Sequence, residues 1–371
     1  MPMRTGWMPD MTPTVVRLGY VRHMRESPPL IVTADDTTGA LETAAACADA
    51  GWRCVVSTTV AASGAELVVI DLRSRHLPGD EAGSRLRSIV EDEPGLRAHK
   101  VDSTLRGNWA FEVGAIAHAG RRVLFVPAFP AAGRTCVNGT VLVDGVPVHE
   151  TVFADDPRSP VGGSRPADRL PGAVAARDLG TVRVAFAEGA HIVVADATTD
   201  ADVCALAAHV AAHPDVVLVG PAAVITALVR ELIPDRVGTR PLRLTPRLLA
   251  VSASQHPIAA AQLAELARTG IEVVRPPEDV SDDDAAAVLA RLAADVHARL
   301  AADLSISTLV VIGGDTTAAV IGEATVSVEG SLGVGIAVGS TEILGRPLRL
   351  VTKPGGFGVA GTLVDVLGDV L

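Results

Sequence analysis

Short apolar runs recur along the chain, each ending at Asp, Ser or Gly and most followed by an amphipathic or Ala-rich stretch. The first, Leu30–Ala34, runs into Asp35-Asp36-Thr37-Thr38-Gly39 and then into Ala40–Ala50, an Ala-rich helix closed by Gly51. Cys54–Ser57, Leu67–Asp71 and Val123–Val126 read as further buried strands, with a helix over Asp80–Glu93 and another ending near Ala119. From Pro127 to about Pro171 the alternation lapses, and Asp144-Gly145 predicts a hairpin turn between apolar residues. It resumes with a strand at His191–Ala195, a helix from Ala201, a strand at Val216–Val219 and a helix over Ala222–Leu232. Pro234–Pro246 reads as a linker. A second block follows: strands at Leu248–Val251, Ile271–Val274 and Leu309–Ile312, and helices over Pro257–Thr269 and Asp282–Leu304. The acidic Asp282, Asp283 and Asp284 suit the first turn of that last helix. Strands and helices alternating at this spacing predict parallel βαβ units. The expected fold is α/β, with two α/β domains, mainly parallel sheets and a cleft between them.

Length agrees with two domains: 371 residues at roughly 150 per domain. The 32 Lys+Arg against 43 Asp+Glu leave a net charge of −11, and aromatics are only 3%. An acidic chain poor in aromatics lacks the basic face and stacking platforms of a nucleic-acid binder. Mean hydropathy is +0.35, yet no apolar run approaches the roughly 18 residues of a spanning helix. No membrane partner is expected. Cys47, Cys54, Cys136 and Cys204 show neither CxxC nor zinc-ligand spacing and read as reduced core residues, with no metal site. Residues 1–28, with scattered Met, Pro and Arg, read as a disordered extension without a secretory signal, and a cytoplasmic location is expected.

Four segments concentrate candidate chemistry. Asp35 and Asp36 stand at the end of the first strand, the edge where open α/β sheets bind ligands. Adjacent like charges raise one carboxyl pKa, and a helix N-cap fits the same residues equally well. Lys100-Val101-Asp102-Ser103-Thr104-Leu105-Arg106-Gly107 combines cations that suit an anion with a carboxylate that accepts from hydroxyls. In Pro127–Thr135, Arg134 is either loop punctuation or an anion contact. In the second block, Ser252-Ala253-Ser254, Gly313-Gly314-Asp315-Thr316 and Lys353-Pro354-Gly355-Gly356-Phe357-Gly358 offer backbone N–H groups, hydroxyls and a cation to a phosphate. There is no Walker motif, and Gly333, Gly335 and Gly339 match a dinucleotide fingerprint only loosely.

Together these segments resemble the four-carbon acid sugar kinase family, over about Pro29 to Leu363. Ala34–Ala40 matches its ADDxTGA motif, Lys100–Gly107 its KxDSTLRG and Pro127–Arg134 its PAFPxxGR. Thr151–Pro157 and Ser164 follow in family order, then Asp196 and Gly220, and Gly313–Thr316 and Lys353–Gly358 match GGxT and KxGxFG. The resemblance implies a sugar-acid-binding domain at 29–240, a nucleotide-binding domain at 241–371 and reaction in the cleft. It places Asp35, Asp36, Arg73, Lys100, Asp102, Ser103 and Arg106 on the acid side. Ser254, Gly313, Gly314, Asp315, Thr316 and Gly355 fall on the ATP side. The family's usual GGET has Asp315 here, its Gly-Ser-x-Ser reads Ala253-Ser254-Gln255-His256, and its Asn-Asp reads Leu41-Glu42.

The resulting expectation is an ATP-dependent kinase acting on a terminal hydroxyl of threonate, erythronate or a 3-oxo-tetronate, with Mg²⁺ bridging the β- and γ-phosphates. Lys100 or Arg106 would clamp the substrate carboxylate, assisted by Arg134, and Asp36 or Asp102 would accept the hydroxyl proton. Lys353 would face the nucleotide. Rival readings are a non-catalytic sugar-acid-binding homologue and an NAD(P)-dependent dehydrogenase. The dehydrogenase needs a GxGxxG after the first strand, where this chain has Asp-Asp-Thr-Thr-Gly. A homodimer is the expected assembly, because symmetric dimers are the commonest oligomers.

Overall fold

The computed structural model describes residues 29–59, 64–93, 95–236, 238, 242–245, 247–276 and 285–368. The extension at 1–28, parts of the linker and Asp282–Asp284 lie outside the described residues.

The first lobe is wound from β1 (Leu30–Ala34), α1 (Thr37–Asp49), β2 (Cys54–Ser57), β3 (Leu67–Asp71), α2 (Gly79–Asp92), β4 (Leu96–Lys100), α3 (Trp109–His118) and β5 (Arg122–Phe125). A small antiparallel sheet of β6 (Arg134–Val137), β7 (Thr140–Val143) and β8 (Val146–Pro147) interrupts the winding. It resumes through β9 (Val174–Ala176), α4 (Leu179–Ala187), β10 (Ile192–Ala195), α5 (Asp200–Ala212), β11 (Val216–Gly220) and α6 (Ala222–Leu232). The hairpin expected at Asp144-Gly145 joins β7 to β8, with φ of 50° and 85° at those two residues. Both are positive, as a tight hairpin turn requires.

The second lobe holds β12 (Leu248–Ser252), α7 (Pro257–Arg268), β13 (Glu272–Val274), α8 (Ala285–Ala302), β14 (Thr308–Ile312) and α9 (Gly314–Ile321). It ends in three eight-residue strands, β15 (Val326–Gly333), β16 (Ile336–Ile343) and β17 (Arg346–Lys353), and the short helix α10 (Thr362–Gly368).

The two expected sheets are one. A 14-stranded sheet runs β13-β12-β14-β17-β16-β15-β2-β3-β1-β4-β11-β5-β10-β9. Both wings are parallel, and β15–β16–β17 form an antiparallel ribbon between them. The seam is the antiparallel pairing of Val326, Ser327 and Val328 with Val56, Val55 and Cys54. The ribbon leaves little periodic trace in the sequence, and its glycines explain why. Gly330 and Gly333 sit at register shifts, which break the period-two alternation.

Helix α1 is clasped within the bend. It touches β15, β16, α6 and α9, and Ala40, Leu41, Ala44, Ala45, Cys47 and Ala48 are all buried. Small side chains around most of its circumference let neighbours approach from several directions. The parallel strands of the first lobe are buried on both faces, as their continuous Val, Ile and Leu runs require. Cys47, Cys54 and Cys136 lie in the core, whereas Cys204 is exposed. Among the described residues no helix is long and apolar enough to cross a membrane.

Candidate functional site

The end of β1 delivers Asp35 and Asp36, and the end of the neighbouring β4 delivers Lys100 and, two residues on, Asp102. Asp36 caps α1, its Oδ1 accepting from the Gly39 N–H at 3.1 Å. The cap reading and the site reading of this residue therefore hold together. Lys100 Nζ donates to Asp36 Oδ1 at 2.9 Å and to Asp35 Oδ1 at 3.3 Å. Arg106 forks onto Asp102, with Nε 3.0 Å from Oδ2 and Nη2 2.8 Å from Oδ1.

Two members were not foreseen. Arg75 forks onto Asp35 at 2.7 and 2.9 Å and reaches Asp36 Oδ1 at 2.6 Å. Asp156 takes Arg106 Nη1 at 3.3 Å. Arg73, expected on the acid side, points elsewhere. Its φ of 49° turns the chain, and the guanidinium donates to the Gly322 carbonyl at 2.5 Å and pairs with Glu323 at 3.2 Å. It ties the first lobe to the end of α9. The alternation of Arg73-Ser74-Arg75 was the available signal: two cations two residues apart, of which only the second follows the chain back over Asp35. Arg134 donates to the Ala132 carbonyl and makes no ion pair among the described residues. Ser103 lies half-buried in the turn after β4.

Arg75, Lys100 and Arg106 offset Asp35, Asp36 and Asp102. Burial works against the Asp36 charge, but Arg75 and Lys100 outweigh it and hold this carboxyl down to about 2. Burial likewise opposes the charge on Asp102, and Arg106 and Arg75 hold it well below the usual carboxylate range. For Asp35 burial wins, pushing its carboxyl up despite Arg75 and Lys100. The two adjacent carboxyls are thus shifted in opposite directions, and burial, more than the neighbouring Asp36 charge, raises Asp35. Lys100 and Arg106 are both already ion-paired and so are not free clamps. Arg106, 30% exposed, is the one open to the cleft.

Beside this cluster lies a cavity of about 510 Å³ between α1, α5, α6 and the β15–β16 turn, lined in part by Glu42, Phe129, Val203, Arg230 and Gly335. Burial pushes the Glu42 carboxyl up.

In the second lobe the strand ends of β12, β14 and β17 converge. The Ala253 N–H donates to Thr316 Oγ1 at 3.0 Å, and the Gly313 N–H donates to the Lys353 carbonyl at 2.8 Å. Gly313 has φ of 105°, which calls for glycine, and a Cβ on Gly355 would stand 2.6 Å from Ser254 Oγ, so those two loops approach closely. Lys353 is buried and donates to the Pro354 carbonyl at 2.6 Å. Burial alone brings its amine down to about 8. The structure thus brings Ser254, Gly313, Thr316, Lys353 and Gly355 together, with Gly314 and Asp315 opening α9. Asp315 is ion-paired with Arg158 of the other lobe.

The two assemblies face one another. A Cβ built on Gly314 would lie 2.7 Å from Thr38 Oγ1 and 3.6 Å from Asp36 Oδ2. The N-terminal ends of α1 and α9 therefore meet across the cleft. Among the described residues no group of three or more His, Cys, Asp or Glu could hold a metal.

Fold and site define a two-lobed α/β protein with strand-end loops of both lobes facing one cleft. Residues 30–228 match the family of sugar-binding N-terminal domains. The chain is 32% identical to a D-threonate kinase of Salmonella typhimurium over 289 residues, 71% of this chain and 68% of that one. It is 31% identical to a 3-oxo-tetronate kinase of Methylobacterium radiotolerans over 240 residues, 56% and 55% of the two chains. A Haemophilus influenzae DUF1537 structure superposes with a TM-score of 0.71 at 19% identity, covering 92% of this chain and all of that one. A Bordetella bronchiseptica DUF1537 structure, a domain-swapped dimer with bound citrate, reaches 0.51 at 28% identity over 93% and 98%. The chain belongs to the four-carbon acid sugar kinase family.

Proposed function

We propose that this protein transfers the terminal phosphoryl group of ATP to a terminal hydroxyl of a four-carbon sugar acid. The acid would lie over Asp36, Lys100, Asp102 and Arg106, and the phosphates at Gly313–Thr316. The observation that carries this reading is the meeting of Thr38 and Asp36 with Gly314. Two helix N-termini point at one space, and both favour anions there. The Bordetella bronchiseptica structure holds bound citrate, in keeping with a carboxylic acid as ligand.

Phosphoryl transfer asks mainly for positioning and charge neutralisation. Arg106 orients the substrate carboxylate, and Asp102, held by Arg106, accepts from a substrate hydroxyl. Asp36 keeps Oδ1 on Lys100 and Arg75 and presents Oδ2 toward Gly314. Its low pKa makes it a weak base, so it works chiefly by aligning the attacking hydroxyl and taking its proton late. Lys353 offers a cation that, among the described residues, pairs with no carboxylate, and it would lie near the phosphates. Mg²⁺ carried by ATP would need only one or two carboxylates from the protein. Asp315 and Asp36 are the carboxylates facing that space, and the ion would supply charge neutralisation. The reading also includes a homodimer, in line with the Bordetella dimer.

An ADP-release screen over the threonates, erythronates and 3-oxo-tetronates tests the proposal. Turnover with at least one acid is expected. Absence of phosphoryl transfer to all of them, in protein that binds ADP, would leave a sugar-acid-binding homologue instead.

A further inference from the structure

Arg158 belongs to the acid lobe, yet its guanidinium lies on Asp315 in the first turn of α9. Both side chains are 51% exposed, at the mouth of the cleft. The loop that carries Arg158 is not free. Asp156 Oδ1 accepts from the backbone N–H of Arg158 at 3.1 Å and of Ser159 at 2.8 Å. The other Asp156 oxygen takes Arg106, which is forked onto Asp102. His76 Nδ1 meets Ser159 Oγ at 3.2 Å. A continuous run of ion pairs and hydrogen bonds therefore leads from the acid-binding cluster to the start of α9.

An exposed pair of this kind contributes only about 0–1 kcal/mol, and the lobes are already joined by Arg73 and by the β2–β15 seam. Asp315 stands where the reading above puts the phosphates. A terminal phosphate arriving there presents more negative charge than one carboxylate, and in a geometry a guanidinium can fork onto. We propose that Arg158 exchanges Asp315 for the transferring phosphoryl group once nucleotide is bound, as an arginine supplied by the acid lobe. The inference rests on the chain being a sugar-acid kinase with its phosphates at Gly313–Thr316. In the step itself the acceptor hydroxyl oxygen bonds to the γ-phosphorus. The bond from that phosphorus to the β–γ bridging oxygen breaks, and ADP leaves with the electron pair. The hydroxyl proton passes to Asp36. Arg158 exchanges no atom; it offsets charge on the non-bridging oxygens. Its tether through Asp156 and Arg106 makes its placement depend on the acid, which restrains hydrolysis of ATP when the acceptor is missing.

The test compares wild type with Arg158→Ala and Arg158→Lys, using turnover of the best sugar acid and calorimetric binding of ADP with and without beryllium fluoride. Arg158→Ala should lower kcat about 10²-fold, with KM for the acid and ADP affinity within about twofold, while the fluoride-dependent gain in affinity is lost. Arg158→Lys and added guanidinium should each restore part of kcat. Unchanged kcat, or an equal loss in plain ADP binding, overturns the inference and leaves a surface latch. If wild type turns over no acid, the kinase reading fails separately, and the fluoride comparison still decides whether Arg158 meets a phosphate.

Discussion

Lys100 lies across the face of Gly39: a Cβ built on the glycine would stand 1.8 Å from the lysine Nζ and 2.5 Å from Asp36 Oδ1. The glycine of the first motif is there so that a cation from the second motif can reach both carboxylates. Gly39→Ala should displace Lys100 and lower kcat/KM about 10²-fold. Stability should fall too, because displacing Lys100 leaves charge on the two carboxylates less compensated, a larger effect than the roughly 1 kcal/mol by which alanine is favoured over glycine inside a helix. Kinetics paired with urea unfolding reads both effects; full activity in the variant would refute the role given to Lys100.

Arg75 is the main partner of Asp35, which is buried to 1% exposure. Removing one member of a buried pair leaves an uncompensated charge, at about 3–5 kcal/mol. Arg75→Met should show that loss in denaturant midpoints, and Arg75→Lys should recover only part of it, since an ammonium cannot reproduce the fork. A stable Arg75→Met would show that Asp35 is held by Lys100 alone.

Asp36 is ionised throughout the ordinary working range, because its carboxyl is held down to about 2. Asp36→Asn should therefore lower kcat at every pH tested, by about 10²–10⁴-fold, without moving the acid limb of the profile. Unaltered kcat would remove Asp36 from the transfer step.

Lys353 titrates at about 8 in the folded chain and 10.5 as a free side chain. Between those values the unfolded chain binds more protons, so stability rises with pH across that window. Lys353→Met should flatten the rise. ADP affinity should fall as pH passes about 8 in wild type and be weaker but level in the variant. Parallel profiles for the two proteins would place Lys353 away from the phosphates.

The strand ends were legible because short apolar runs stop at residues that cannot continue a buried strand, as Ala34 stops at Asp35 and Ile312 at Gly313. Those stops mark the cleft. Arg75 was not legible, because only the turn at Arg73 decides which of two nearby cations faces the carboxylates. Asp156 joins through a loop whose path depends on the β6–β8 insertion. The merging of the two sheets was hidden for another reason. β2 and β15 are far apart in the chain, and pairing at so long a range leaves no periodic trace when one partner carries bulges.

That seam has a mechanical consequence. Lobes joined by a flexible linker swing like a door, whereas here three backbone pairs between β2 and β15 weld them edge to edge. Opening the cleft therefore means flexing a ribbon, as a leaf spring flexes, or breaking the weld. A broken weld bares two strand edges at once, and the same hydrogen bonds that close them within one chain can close them between two.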